Sequence, residues 1–266
     1  MADLSKNIIT VNNITKSFTA SKGIFTKGEQ FFAVDNVSFS IKEGSSLGIV
    51  GESGSGKSTI ARMICDIYKA DSGSILYYNK DIYSLSKHEY IDYRKNVQMV
   101  FQDPNNSLNP KLKIKSALID GIKKHITKER AEIENILKNL MDMVGLPYEY
   151  LERYPHEFSG GQRQRISIAR ALSINPKVII ADEPVSSLDV SVQAQILNLM
   201  KSLQKNGITL ILISHSLAVV SNMCENIAVM QKGSMVEYGN TDDVLCKPKS
   251  EYTKNLLKAS EYTMIK

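Results

Sequence analysis

Residues 51–59, GESGSGKST, constrain this chain more than any other stretch, because they match the pattern G-x-x-x-x-G-K-[ST] without a mismatch. An apolar run at 47–50 leads into them, and a helix-compatible run at 60–68 leads out. That strand–loop–helix setting is what the pattern needs, since its mechanism is geometric. Glycines let successive backbone N–H groups turn inward around phosphate oxygens, and the following helix adds the positive end of its dipole. The contact set is Gly51, Ser53, Gly54, Ser55, Gly56, Lys57, Ser58 and Thr59. Within it Lys57 reaches the β- and γ-phosphates, and the Ser58 hydroxyl is a Mg²⁺ ligand. The competing reading is a glycine-rich turn that matches by accident, and the strand before it and helix after it count against that. The loop is expected to bind a nucleotide.

A chain of 266 residues can bury a substantial core, as one large or two small domains. Its 33 basic and 28 acidic residues leave a mild, dispersed formal charge of +5, so nucleic acid binding is not indicated. Docking beside an anionic membrane stays open on the same numbers. Cys65, Cys224 and Cys246 are odd in number and far apart, which reads as reduced thiols rather than a disulfide framework or a metal site. The N-terminus has no apolar signal region, and no run approaches the roughly 18 apolar residues of a membrane span. A cytosolic protein is expected, unless something else carries it to a membrane.

Residues 8–14 and 31–41 read as strands, the second alternating through Val34, Val37, Phe39 and Ile41. Residues 20–30, with two glycines and two lysines, read as an exposed loop or hairpin. Phe18, just before it, is either a core aromatic or a nucleotide contact. A turn at 71–73, a strand near 74–78, a charged stretch at 87–95 and a strand at 97–101 follow. The character then changes, with a polar, proline-containing loop at 105–113. A helix is expected over 128–144, carried by Ile133, Ile136, Leu137, Leu140 and Val144. A helical insert at about 103–158 therefore interrupts an alternating strand–helix chain, which implies parallel α/β architecture. Ser159 is placed to cap a helix running to about 173. A strand at 177–181 ends in Asp182-Glu183, a helix covers 190–205, and a buried strand at 208–213 runs into His215. Strands near 227–231 and 235–238 and a short helix from 241 complete the core. No second phosphate loop is present, so one nucleotide-binding unit is expected.

Phosphoryl transfer to water needs a phosphate cradle, Mg²⁺, a positioned water and charge stabilisation. Asp182, closing an apolar strand, suits the Mg²⁺-supporting carboxylate, and Glu183 beside it suits a general base toward water. Alone, such a pair is most simply a solvated turn. His215 follows a strand's carboxyl end, where ligand sites of α/β sheets gather, so a γ-phosphate contact is expected of it rather than a structural role. Gln102 also ends a strand and is placed to touch Mg²⁺ or the water. Residues 158–165, FSGGQRQR, set Gly160 and Gly161 at a helix N-terminus, a second phosphate nest in a chain whose cradle is already supplied. Two half-sites for one phosphate tail suggest that two chains share each nucleotide.

With these residues in place, the sequence resembles the ATP-binding cassette (ABC) transporter ATPases over nearly its whole length, with the family's motifs in order. The resemblance implies a P-loop NTPase core of RecA type, with an antiparallel β subdomain and an inserted α-helical subdomain. One nucleotide-binding domain would span 1–266, with core and β parts at about 1–102 and 159–240, the helical part at 103–158 and a helical tail at 241–266. It further implies that Phe18 stacks on adenine, with Phe31 or Phe32 as substitutes, and that Gln102 is the Q-loop residue. Ser186 to Asp189 would form the D-loop, with His215 as the switch histidine. Ser159, Gly161 and Gln162 would contact the γ-phosphate held by the opposite subunit.

Narrower features are similar to the oligopeptide, dipeptide and nickel importers. They are VFQDP at 100–104 with SLNP at 107–110, YPHEF at 154–158, and Tyr252-Thr with LLKA at 256–259. Val185 and Ser187 depart from the usual Thr and Ala. The chain stops soon after Ala259 without a cysteine-bearing extension, so no metal cluster is expected. The resemblance implies ATP and Mg²⁺ as cofactors and peptide uptake as the function, with nickel or metallophore uptake as the alternative. The partners implied are a second ATPase subunit (a heterodimer in preference to a homodimer), two membrane permease subunits and an extracellular solute-binding protein. The location implied is the cytoplasmic face of the membrane, peripherally bound. An ABC ATPase acting on DNA or ribosomes usually carries a coiled-coil insert or fused cassettes, and neither is present. A non-hydrolysing switch is disfavoured by Glu183, His215 and the intact signature, and a simple kinase has no use for the 159–162 nest.

Overall fold

The computed structural model describes residues 6–20, 29–104, 107–186 and 188–259. Along the described chain run β1 (Asn7–Ala20), β2 (Glu29–Lys42), β3 (Ser46–Val50), α1 (Lys57–Ile64), β4 (Ser72–Tyr77), β5 (Lys80–Asp81), α2 (Lys87–Asn96) and β6 (Val97–Val100). Next come α3 (Ile114–His125), α4 (Arg130–Met143), α5 (Gly160–Leu172), β7 (Val178–Asp182) and α6 (Val190–Lys205). The last elements are β8 (Thr209–Ile213), α7 (Leu217–Met223), β9 (Asn226–Gln231), β10 (Ser234–Asn240), α8 (Thr241–Cys246) and α9 (Glu251–Ala259). They fall into two compact units, one of residues 1–93 with 209–266 and the other of residues 94–208.

In the first unit, β3 lies between β8 and β9 and runs parallel to both, with Leu47 opposite Ile211 and Val50 opposite Val229. Both β3 and β8 are buried along their whole length, which is why they read as unbroken apolar runs. β10 closes against β9 antiparallel. An antiparallel sheet in the order β2-β1-β4-β5 completes the unit's strands. Its longest pairing has a slip, since the apolar phase of β2 breaks between Val34 and Val37. There Asn36 is left-handed (φ 51°), and the pairing changes from Lys16 opposite Val34 to Ile14 opposite Val37. A bulge of this kind restores the buried face after one extra residue. Of the loop expected at 20–30, residues 20, 29 and 30 are strand and 21–28 lie outside the described residues.

The charged stretch at 87–95 is a helix, α2, whose inner face is made by tyrosines. Tyr93 is fully buried with its hydroxyl donating to the Ile64 carbonyl, and the Tyr90 hydroxyl donates to Asp66 at 2.6 Å. Aliphatic periodicity is absent there, so the helix gave no periodic signal.

In the second unit, β6 and β7 pair in parallel, Val97 opposite Val178 and Val100 opposite Ala181. Among the described residues the α-helices α3, α4, α5 and α6 accompany them. α4 buries Ile133, Leu137, Leu140 and Met141, while α3, a helix absent from the sequence expectations, buries Ile114, Leu118 and Ile122. Among the described residues no helix is long and apolar enough to cross a membrane.

Candidate functional site

The loop from β3 to α1 is held by its own lysine. The buried Lys57 ammonium donates to the carbonyls of Gly51 (2.8 Å) and Glu52 (2.7 Å), which fixes a positive charge inside the turn. Gly51 and Gly56 are glycines for lack of room as well as for their positive φ. A Cβ on Gly51 would sit 2.1 Å from the Met230 carbonyl oxygen, and one on Gly56 would sit 2.1 Å from that of Ala33. Gly54 has φ +79° and open space around it. From the other side, the β9–β10 turn braces the loop, with Gly233 N–H donating to the Ser55 carbonyl at 3.1 Å. Ser53 is exposed and Ser55 buried, while Ser58 and Thr59 lie half-buried in the first turn of α1, which contains no acidic residue. An anion is therefore accepted at that helix end without repulsion.

His215 belongs to the same unit. Ser214 N–H donates to the Ile49 carbonyl at 3.2 Å, so the chain leaves β8 beside the strand that delivers the phosphate loop. Ser216 then caps α7 through Val219 N–H, presenting His215 exposed between strand and helix. Phe18, half-buried at the far end of β1, packs edge-on against Tyr68 at 5.5 Å and beside Phe31 at 6.2 Å. Phe31 and Phe32 are each half exposed. The Asp71 carboxylate secures this strand end, accepting from Lys16 Nζ (2.6 Å), Ser17 N–H (2.7 Å) and Ser17 Oγ (2.8 Å). These contacts, the lysine's first, hold its carboxyl down at about 2.

The second unit groups the other expected residues. Asp182 closes β7 and is 2% exposed. Glu183 follows in the left-handed region (φ 44°), an uncommon conformation for a glutamate and one that turns its side chain out of the strand's course. Its carboxylate accepts from Gln102 Nε2 at 3.1 Å. Ser159 caps α5 reciprocally with Gln162: Gln162 N–H donates to Ser159 Oγ at 3.4 Å, and Ser159 N–H donates to Gln162 Oε1 at 3.0 Å. This leaves the serine O–H and the glutamine Nε2 as donors around the exposed helix start, where the first turn again has no acidic residue. Gly160 is exposed, and a Cβ there would meet only Leu188 at ordinary contact. Gly161 is buried for a different reason: a Cβ would lie 2.3 Å from Val192 Cγ1, so its bare Cα is what lets α5 approach α6. Asp189 caps α6, accepting from Val192 N–H (3.0 Å) and Ser191 Oγ (2.7 Å), bonds that lower its pKa.

One neighbour of the phosphate loop was not identified as a site residue from sequence. Glu52 N–H donates to the Tyr252 hydroxyl at 3.1 Å, across 200 residues of chain. No local signal points from one to the other.

The ABC transporter family model matches residues 34–186. An oligopeptide transport ATP-binding protein OppF of Streptococcus mutans is 46% identical over 261 residues, 97% of this chain and 83% of that protein. The OppF of Bacillus subtilis is 41% identical over 96% of this chain and 83% of its own length. A dipeptide transport ATP-binding protein DppF of Lactococcus lactis is 43% identical over 95% and 80%. Among solved structures, the ATP-binding cassette MJ0796, in a dimeric post-hydrolysis state bound to ADP and Pi, superposes with a TM-score of 0.77. It is 30% identical and covers 88% of this chain and 98% of its own. The Clostridium perfringens cbiO1, part of an ABC transporter complex, gives 0.76 at 29% identity, covering 91% and 92%.

Proposed function

This chain belongs to the ABC transporter family, as an ATPase coupled to transport, and from that premise we propose that it drives uptake of oligopeptides or dipeptides. The observation that carries the cargo class is identity of 41–46% over nearly the whole chain to subunits named for oligopeptide and dipeptide transport. The chain works beside membrane permease subunits at the cytoplasmic face of the membrane. An extracellular binding protein delivers the peptide, and a second, different ATPase subunit faces this one.

The phosphate loop from Gly51 to Thr59 takes the phosphates of ATP, with Lys57 supplying charge where negative charge develops on the β- and γ-oxygens. Phe18, or Phe31 beside it, takes the adenine. Mg²⁺ prefers oxygen donors, and the Ser58 hydroxyl, the Asp182 carboxylate and the Gln102 amide oxygen, whose nitrogen engages Glu183, are the residues that would supply them. Mg²⁺, when bound there, neutralises phosphate charge. Glu183 accepts a proton from the attacking water, and His215 contacts the γ-phosphate. Ser159, Gly160, Gly161 and Gln162 offer the α5 N-terminus, two side-chain donors and no opposing carboxylate to a phosphate on the facing subunit, and Asp189 lines the same junction. Binding of ATP closes the pair and hydrolysis reopens it.

The test is Ser159→Arg in the complex reconstituted with its permease and binding protein. Peptide-stimulated ATP hydrolysis is expected to be lost while ATP affinity of the isolated subunit stays unchanged. A fall in that affinity would refute the shared site, and transport of nickel but not peptide would refute the cargo.

A further inference from the structure

Both ends of one peptide unit in the phosphate loop are held from outside the loop's own backbone. The Gly51 carbonyl accepts from Lys57 Nζ at 2.8 Å, and the Glu52 N–H of the same unit donates to the Tyr252 hydroxyl at 3.1 Å. Tyr252 is the second residue of α9, and α9 is itself seated by a single carboxylate. Glu237, on β10, accepts from the N–H groups of Lys249 (2.8 Å) and Ser250 (3.1 Å), the two residues leading into the helix. Burial alone would raise the Glu237 carboxyl, but these backbone bonds and the nearby Lys249 charge work against it and the pKa is lowered. The next residue after the tyrosine, Thr253, is completely buried. A chain of contacts thus runs from β10 through the start of α9 to the Gly51–Glu52 peptide unit, whose carbonyl accepts from the Lys57 ammonium.

We infer that Tyr252 is a positioning residue for ATP binding, and that α9 acts as a strap whose seating sets the phosphate loop's affinity. The hydroxyl fixes the orientation of the Gly51–Glu52 peptide, and through the Gly51 carbonyl it fixes where Lys57 rests before a phosphate arrives. Without it the peptide rocks, and the ammonium is less often poised where β- and γ-phosphate oxygens need it. Binding energy is lost in pre-organisation rather than in any direct ligand contact. The inference rests on nucleotide binding by the phosphate loop and goes beyond it, because it gives the C-terminal helix control over that loop.

The experiment is calorimetric titration of the full chain with ATP, together with steady-state hydrolysis. Tyr252→Phe removes one oxygen and keeps the ring, and is expected to weaken ATP binding about two- to tenfold, the worth of one hydrogen bond. The loss should appear as a raised KM with kcat changed less than about twofold, as expected when ground state and transition state lose the same binding energy. Glu237→Gln should shift affinity in the same direction, and the double variant should be no worse than the weaker single one, because both act through one path. Tyr238→Phe is the control. Its hydroxyl also bonds the backbone, here by donating to the Ser40 carbonyl at 2.9 Å away from the loop, and its ATP affinity should match the unsubstituted chain. Unchanged affinity in Tyr252→Phe, or an equal loss in Tyr238→Phe, overturns the inference while leaving nucleotide binding intact. Failure of the unsubstituted chain to bind ATP would overturn both.

Discussion

Gln102 and Glu183, 81 residues apart in the chain, are joined by a 3.1 Å hydrogen bond from amide nitrogen to carboxylate. The register of β6 and β7 makes this contact. Val100 lies opposite Ala181, so the residues two positions further along each strand emerge side by side. A displacement of the chain after β6 is therefore felt at the Glu183 carboxylate.

Glu183→Gln keeps this bond, since the new amide oxygen accepts from Gln102 as the carboxylate did, but it cannot take a proton from water. ATP affinity is expected to hold within about twofold while turnover falls about 10²- to 10⁴-fold. Undiminished single-turnover hydrolysis would remove Glu183 as the base.

The loop glycines should differ sharply in what they tolerate. Gly54→Ala meets no atom and bears only the left-handed strain, about 1 kcal/mol. Gly56→Ala drives a methyl group into the Ala33 carbonyl oxygen, which cannot rotate away. Chemical denaturation should show a modest loss for the first and a loss of more than about 2 kcal/mol, with ATP binding abolished, for the second.

Gly161→Ala should destabilise the chain by about 1–3 kcal/mol through its clash with Val192, which is stiff within its helix. Adding Val192→Ala should recover part of that loss. A double variant no more stable than Gly161→Ala would show that the glycine is not there for packing.

Asp71 has a folded pKa of about 2 against an ordinary 3.8, so its ionised form favours the folded chain. That contribution is complete above about pH 5 and is lost as pH falls through 3.8 towards 2. The stability difference between the unsubstituted chain and Asp71→Asn should be about 0.5 kcal/mol near neutral pH, discounted for solvent exposure of the pair, and should vanish by about pH 2. Denaturation curves at several pH values and salt concentrations measure it, and added salt should also reduce it. A difference that grows on acidification would contradict the assignment.

The fold class, the phosphate loop and the strand ends carrying Asp182, Glu183, Gln102 and His215 were legible because their signals are local. A buried parallel strand is an unbroken apolar run, and a helix start announces itself by its cap, as Ser159 does with Gln162. α3 had a signal too, in Ile114, Leu118 and Ile122, although the polar loop before it obscured where the helix began. α2 had almost none, because tyrosine hydroxyls rather than aliphatic spacing seat its inner face.

By itself, then, the sequence determined the strands and helices that carry a local signal and which polar residues follow their ends, since motif and periodicity act over a few residues. Tertiary structure alone decided that Tyr252 rests on Glu52, that Gln102 touches Glu183, and that Gly161 is bare because Val192 is there. Each of these depends on strand register or helix approach between distant segments. Such contacts are set by how the whole core packs and leave no trace in the spacing of either partner.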